Sequence, residues 1–242
     1  MKKYIYWILL LVFGVMSFQS HAQIVKGALI GGINLTQIDG DEIFGYKRIG
    51  ANVGAAAIIP FTDIWSLTLE TIFSMEGSRQ VGPQGNWMNG SNLYPPPYNA
   101  PRIYINGSYD LHLDYVRVPL IMHYNDRNLA LGAGFQYGRL VKVSEWEQVI
   151  YNTTKTAEEA YSNNDYSILA DMKYRIYGGL FLNFRFSYSM FSIRERTFYR
   201  TDIIGATIDR KQYHNTLTFR LMWVINDDGG ALDSQKRRKY EF

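Results

Sequence analysis

The chain has 242 residues, a formal net charge of +3 and no cysteine, with 19% charged and 15% aromatic residues. Without thiols there are no disulfides, no cysteine-ligated metal and no lipid-modified cysteine at a mature N-terminus, and so small a charge excess gives no case for nucleic acid. Charged residues are scarcer than the about 25% usual for a soluble domain, while the length suits one domain or at most two.

The first segment is built for export. Lys2 and Lys3 precede an apolar run from Tyr4 to Phe18, and Ser20 and Ala22 form a small-x-small cleavage site. Residues 1–22 therefore read as a cleaved signal peptide, whose apolar run is too short to span a bilayer. The mature chain starts near Gln23 with 23 basic and 22 acidic residues.

Beyond it the sequence alternates with period two, the signature of strands with one apolar face. Eight runs stand out: Ile24–Asn34, Ile49–Ile59, Ile64–Met75, Leu111–Tyr124, Asn128–Val141, Tyr166–Tyr177, Gly179–Met190 and Gln212–Ile225. The seventh is the clearest, with Leu180, Leu182, Phe184, Phe186 and Tyr188 on one face and Asn183, Arg185, Ser187 and Ser189 on the other. Connections alternate: Pro60–Asp63, Asn125–Arg127 and Gly178 are short, whereas Leu35–Arg48, Glu76–Asp110, Lys142–Asp165 and Phe191–Lys211 are long. Aromatic residues of the apolar parity gather at both strand ends: Trp65, Tyr124, Tyr174 and Trp223 toward the short turns, and Phe73, Tyr137, Tyr166, Tyr188 and Tyr213 toward the long loops. Long strands, alternating connections and two aromatic girdles are the pattern of an outer-membrane barrel. The expected fold is an all-β, eight-stranded antiparallel transmembrane barrel over residues 23–225, with short periplasmic turns and long extracellular loops. Outer-membrane lipid is its expected surrounding, and residues 226–242 form a basic periplasmic tail.

The polar parity of these strands predicts a lumen carrying Glu70, Arg117, Asp171, Lys173, Arg185 and Arg220, two acids against four bases. Eight strands make a narrow barrel filled by its own side chains, so this set reads as a paired structural plug rather than an open channel. Gly132, Gly134 and Gly138 share the inward face of the fifth strand and relieve crowding there. His112, His123 and His214 read as solvated rim residues; the chemical alternative is a rim acyltransferase or protease using His112 with Asp110 or Asp114. Asp39-Gly40-Asp41-Glu42 lacks the spacing of a calcium loop and reads as a polar loop tip. No cofactor, metal or catalytic group is expected, and the protein is read as non-enzymatic. Two surfaces suit partners: the longest loop, with Trp87, Tyr94, Pro96, Tyr98 and Tyr104, and the tail, with Lys236, Arg237, Arg238 and Lys239.

A family resemblance adds to this. Gly31-Gly32-Ile33-Asn34 leading to Asp39-Gly40-Asp41, then Gly45-Tyr46-Lys47, Gly50, Asn52 and Gly54, resemble the N-terminal pattern of PorT-like outer-membrane β-barrel proteins of the Bacteroidota. Glu70 with Ser74 and Gly77-Ser78-Arg79, Leu113-Asp114-Tyr115 through Pro119-Leu120, Gly132 and Gly134 with Tyr137-Gly138, and Arg185-Phe186-Ser187-Tyr188-Ser189 continue the resemblance over nearly the whole mature chain. It departs from the family at Arg117, where a Glu is expected. It departs again at the tail, which follows the last strand where many barrels end on an aromatic residue. The resemblance implies an accessory or interaction subunit of an envelope machine, in protein secretion such as type IX or in outer-membrane protein assembly, with outer-membrane or periplasmic partners. A small pore or ligand-binding barrel is the alternative role.

Overall fold

The computed structural model describes residues 25–41, 43–81, 108–149, 152–154, 161–199, 207–225 and 227. Ten strands follow in chain order: β1 (Lys26–Asp39), β2 (Arg48–Pro60), β3 (Trp65–Gln80), β4 (Tyr109–Asp126), β5 (Leu129–Val149), β6 (Asn152–Thr154), β7 (Asn164–Tyr177), β8 (Leu180–Ser189), β9 (Arg194–Tyr199) and β10 (Thr207–Val224). All neighbours are antiparallel, in the order β1-β2-β3-β4-β5-β7-β8-β10, and β1 pairs again with β10. The sheet therefore closes on itself and leaves those eight strands without a free edge.

The eight long strands are those the alternation predicts, but all except β8 run further toward the long loops. The short strands β6 and β9 pair with the upper ends of β5 and β10, inside segments read from sequence as loops. Those stretches, such as Arg194-Glu195-Arg196 and Asp209-Arg210-Lys211, are polar on both parities. They continue the hydrogen-bond ladder without an apolar face, so period-two reading passes over them.

Register fixes the barrel's dimensions. Tracing paired residues around the sheet from Gly27 leads through Ala57, Leu69, Leu120, Phe135, Ile168, Tyr188 and Asn215 to Gln37, a stagger of 10 residues (37 minus 27). With eight strands about 4.8 Å apart and about 3.3 Å per residue, that stagger gives a tilt of about 40° and a radius of about 8 Å. A lumen of this width is filled by side chains.

The turns at one end are tight. Arg127 and Asn128 join β4 to β5, with Arg127 at φ 50°, and Gly178 and Gly179 join β7 to β8, with Gly178 at φ 49°. Positive φ at the first central residue lets a two-residue hairpin follow the strand twist. Between β2 and β3, Thr62 Oγ1 accepts the Trp65 amide at 3.0 Å and orders the turn.

Polarity is inverted relative to a protein folded in water. Leu29, Leu69, Leu120, Leu131, Phe135, Ile168, Leu182 and Leu221 point outward and are 45–66% exposed. The inward positions carry Asn, Ser, Thr, Arg, Lys, Asp and Glu, nearly all below 9% exposure. On β10 the outward run Trp223, Leu221, Phe219, Leu217 is uncharged up to Lys211. Eight to ten residues separate the two aromatic girdles along a strand, about 20–25 Å at this tilt, as tall as the apolar band of a membrane barrel.

Candidate functional site

The lumen is organised in layers. Nearest the short turns, Ala28, Ile30, Ala56, Met222 and Val224 form an apolar cluster, with Ile58 and Phe181 packed on it. Above it lies the first charged layer. Arg185 grips both oxygens of Glu70 at 2.9 Å through Nη1 and Nη2, and donates from Nε to Asp171 Oδ1 at 2.7 Å. Arg220 donates to Glu70 Oε1 at 3.0 Å and also to Asn183 Oδ1. His123 Nε2 lies 2.9 Å from Asp171 Oδ2, and its Nδ1 3.1 Å from Thr68 Oγ1, which also accepts from Lys173 at 3.2 Å. These residues come from β3, β4, β7, β8 and β10, so the layer braces strands across the lumen.

A neutral layer follows. Asn34 donates to Ser74 Oγ at 2.8 Å and accepts from Thr218 at 2.9 Å and Asn52 at 3.1 Å. The second charged layer is built on Arg117, which donates from Nε and Nη2 to the two oxygens of Glu76 at 2.5 Å and from Nη1 to Asp165 at 2.6 Å. Ser189 and Ser167 donate to Asp165 at 2.7 and 2.9 Å. Toward the long loops an apolar cap closes the lumen: Ile38, Ile43, Tyr109, Leu111, Leu113, Tyr115, Tyr161 and Ile193. It surrounds Glu145, which receives Tyr109 at 2.8 Å, Tyr161 at 3.0 Å and Arg194 at 2.9 Å.

The six interior residues named from sequence all face the lumen, but two acids against four bases is not the charge balance found there. Glu76 and Asp165, 2% and 1% exposed, supply two more carboxylates, so in the two charged layers four acids meet Arg117, Lys173, Arg185 and Arg220. Both lie one residue beyond the strand ends drawn from sequence, with the inward parity of Ser74 and Ser167. The Arg117 departure thus has its own counter-charges. Glu145 is hidden for another reason. Asp114 pairs with Lys142 while Tyr115 pairs with Leu140, so β5 bulges at Val141. Below the bulge even-numbered residues face inward; above it Val143 and Glu145 do.

The histidines need correction. His123 and His214 are 0% and 2% exposed, not solvated, because they share the inward parity of Ile121 and Thr216. His214 Nε2 lies 3.1 Å from the Tyr115 hydroxyl and its Nδ1 3.3 Å from Glu76. Only His112 keeps a rim position, where Arg48 bonds its Nδ1 and its Nε2 lies 3.3 Å from Asp114; Asp110 is taken by Arg48. Gly132 and Gly138 make room as expected: a Cβ there would lie 2.5 Å from the His123 ring and 2.7 Å from Arg117 Nη1.

The predicted girdle residues lie on the outward face. Trp65 meets Tyr124 edge-on at 5.3 Å, Tyr137 meets Tyr166 at 5.5 Å, and Tyr188 stacks on Tyr213 at 6.2 Å. Trp87, Tyr94, Pro96, Tyr98, Tyr104, the signal segment and Lys236–Lys239 lie outside the described residues.

The tip after β1 separates its two described carboxylates; Glu42 lies outside the described residues. Asp39 accepts from Gln37 at 2.7 Å, while Asp41 turns inward and accepts the Ile43 amide at 2.8 Å. Among the described residues no three His, Asp or Glu gather as a metal cluster. Burial pushes the Asp41 carboxyl up to about 7, the Ser78 hydroxyl and Ile43 amide pulling it only part of the way back. Its folded value exceeds the unfolded one of about 3.9, so the folded state binds the extra proton and stability falls as pH rises from about 4 to 7. Asp41→Asn should match the wild type at pH 4 and exceed it at pH 8, by as much as about 4 kcal/mol. Urea midpoints at the two pH values check this; an offset independent of pH contradicts it.

A family model described as "Outer membrane protein beta-barrel domain" matches residues 25–195. The chain belongs to this family. The family indicates the outer membrane as its location, which gives the outward apolar belt a lipid surrounding. No curated protein matches the sequence. Among solved structures the barrel is similar to Ail, the attachment invasion locus protein of Yersinia pestis, at 8% identity and TM-score 0.44, covering 83% of this chain and 99% of that one. It is also similar to neisserial surface protein A, at 8% identity and TM-score 0.42, covering 81% and 96%. The N-terminal barrel domain of Pseudomonas aeruginosa OprF matches at 10% identity and TM-score 0.31, covering 81% and 97%.

Proposed function

We propose that this barrel is a PorT-like, non-enzymatic accessory subunit of an envelope machine, serving protein secretion of the type IX kind or outer-membrane protein assembly. It reaches the membrane with a cleaved signal peptide. The observation that carries the reading is the filled lumen: two charge-paired layers between two apolar clusters leave the rims and the lipid face as the surfaces for work. The PorT-like motifs support the choice of setting, and the aromatic loop and basic tail are its proposed contacts with outer-membrane or periplasmic proteins. Purification from native membranes in a gentle detergent tests it. A defined outer-membrane or periplasmic partner should copurify; a lone monomer in repeated pull-downs contradicts the proposal. Planar-bilayer recording separates the pore alternative, since a filled lumen gives no unitary conductance.

A further inference from the structure

The periplasmic mouth holds a cavity of about 320 Å³, within the size range of small-ligand sites. Its walls are of two kinds. Ile58, Phe181 and Met222 supply an apolar side. Lys26, Arg127, Lys173 and Arg175 supply four positive charges against the two negative charges of Asp63 and Asp227. The mouth already holds one carboxylate. Asp227, its side chain 5% exposed, spans Lys26 at 2.8 Å and Arg175 at 2.8 Å.

Lys173 lies deeper. It pairs in register with Ala130, another wall residue, and is 5% exposed. Among the described residues its ammonium donates to Thr68, one bond for a group with three donors. The charged layer it borders carries Glu70 and Asp171 against Arg185, Arg220 and Lys173, one positive charge in excess. Arg185 and Arg220 hold the oxygens of Glu70, and Arg185, His123 and Asn183 those of Asp171. A buried cation with spare donors, at the floor of a cavity with apolar walls, is suited to an anion that carries a hydrocarbon body.

We propose that the periplasmic mouth binds a small apolar carboxylate, its headgroup on Lys173 and its chain against Ile58, Phe181 and Met222. The site is independent of any partner protein.

The Met222 methyl group reports directly on occupancy. The full mature chain in nanodiscs, labelled at methionine methyls, is titrated with hexanoate, with hexanol and with inorganic phosphate. Hexanoate should shift the Met222 signal saturably, and Lys173→Met should weaken its binding roughly tenfold or more, as expected for loss of a charge-assisted contact. Ile58→Trp, which fills the cavity and leaves the ammonium in place, should also remove the shift. Equal binding of hexanol overturns the role of the headgroup, and equal binding of phosphate alone overturns that of the apolar wall. No saturable shift, or hexanoate binding unchanged in both variants, overturns the site.

Discussion

Glu70→Gln should destabilise the barrel by about 3–5 kcal/mol, the usual cost of removing one partner from a buried ion pair. Glu70 is 1% exposed and holds two guanidiniums, Arg185 through both oxygens and Arg220 through one. Glutamine keeps the shape but removes the charge, leaving Arg185 with Asp171 and Arg220 with Asn183 and, at 3.7 Å, Asp171. The layer's one excess positive charge becomes two. Arg220→Met added to Glu70→Gln restores the original excess and should recover part of the loss, a coupling that a double-mutant cycle measures. Reversible urea unfolding from lipid vesicles is the assay. A loss below about 1 kcal/mol would show these charges hydrated, as exposed pairs are.

Leu120→Arg carries the second large effect. Leu120 is 46% exposed on the outward face of β4, four residues from Tyr124 in the girdle at the short-turn end, near the middle of the apolar belt. An arginine at the bilayer midplane of a barrel costs about 2–4 kcal/mol, and near the interface about 0–1. Val141→Arg, beside Arg139 at the long-loop edge and 61% exposed, is the matched control with little expected cost. Equal effects at the two positions would mean that the belt faces no thickness of hydrocarbon. The same unfolding assay reads both.

Much of this architecture is legible in the sequence because the bilayer simplifies it. With lipid outside and polar groups inside, side-chain parity and apolar pattern coincide along Leu180–Ser189, so β8 shows itself directly. Parity also places Glu70, Asp171 and Arg185 in the lumen. It breaks down where lipid no longer imposes an apolar face. Glu76 and Asp165 sit at the upper edge, where nothing in the alternation tells a continuing strand from a loop. The bulge at Val141 reverses the parity of β5 and conceals Glu145. His123 and His214 look like rim residues by height along the strand, yet inward parity commits them to the lumen. Which charge meets which depends on a stagger of 10 residues around eight strands, and no single strand's sequence contains that number.

The outward parity of every long strand meets lipid. The native chain has no cysteine, so single cysteines can be placed one at a time from Leu180 to Ser189 and spin-labelled in nanodiscs. Oxygen accessibility should peak at Leu182, Phe184 and Phe186 and fall at Asn183, Arg185 and Ser187, a strict alternation along β8. A flat profile, or a chain that forms a compact monomer in water with those outward positions open to polar relaxation agents, would contradict it.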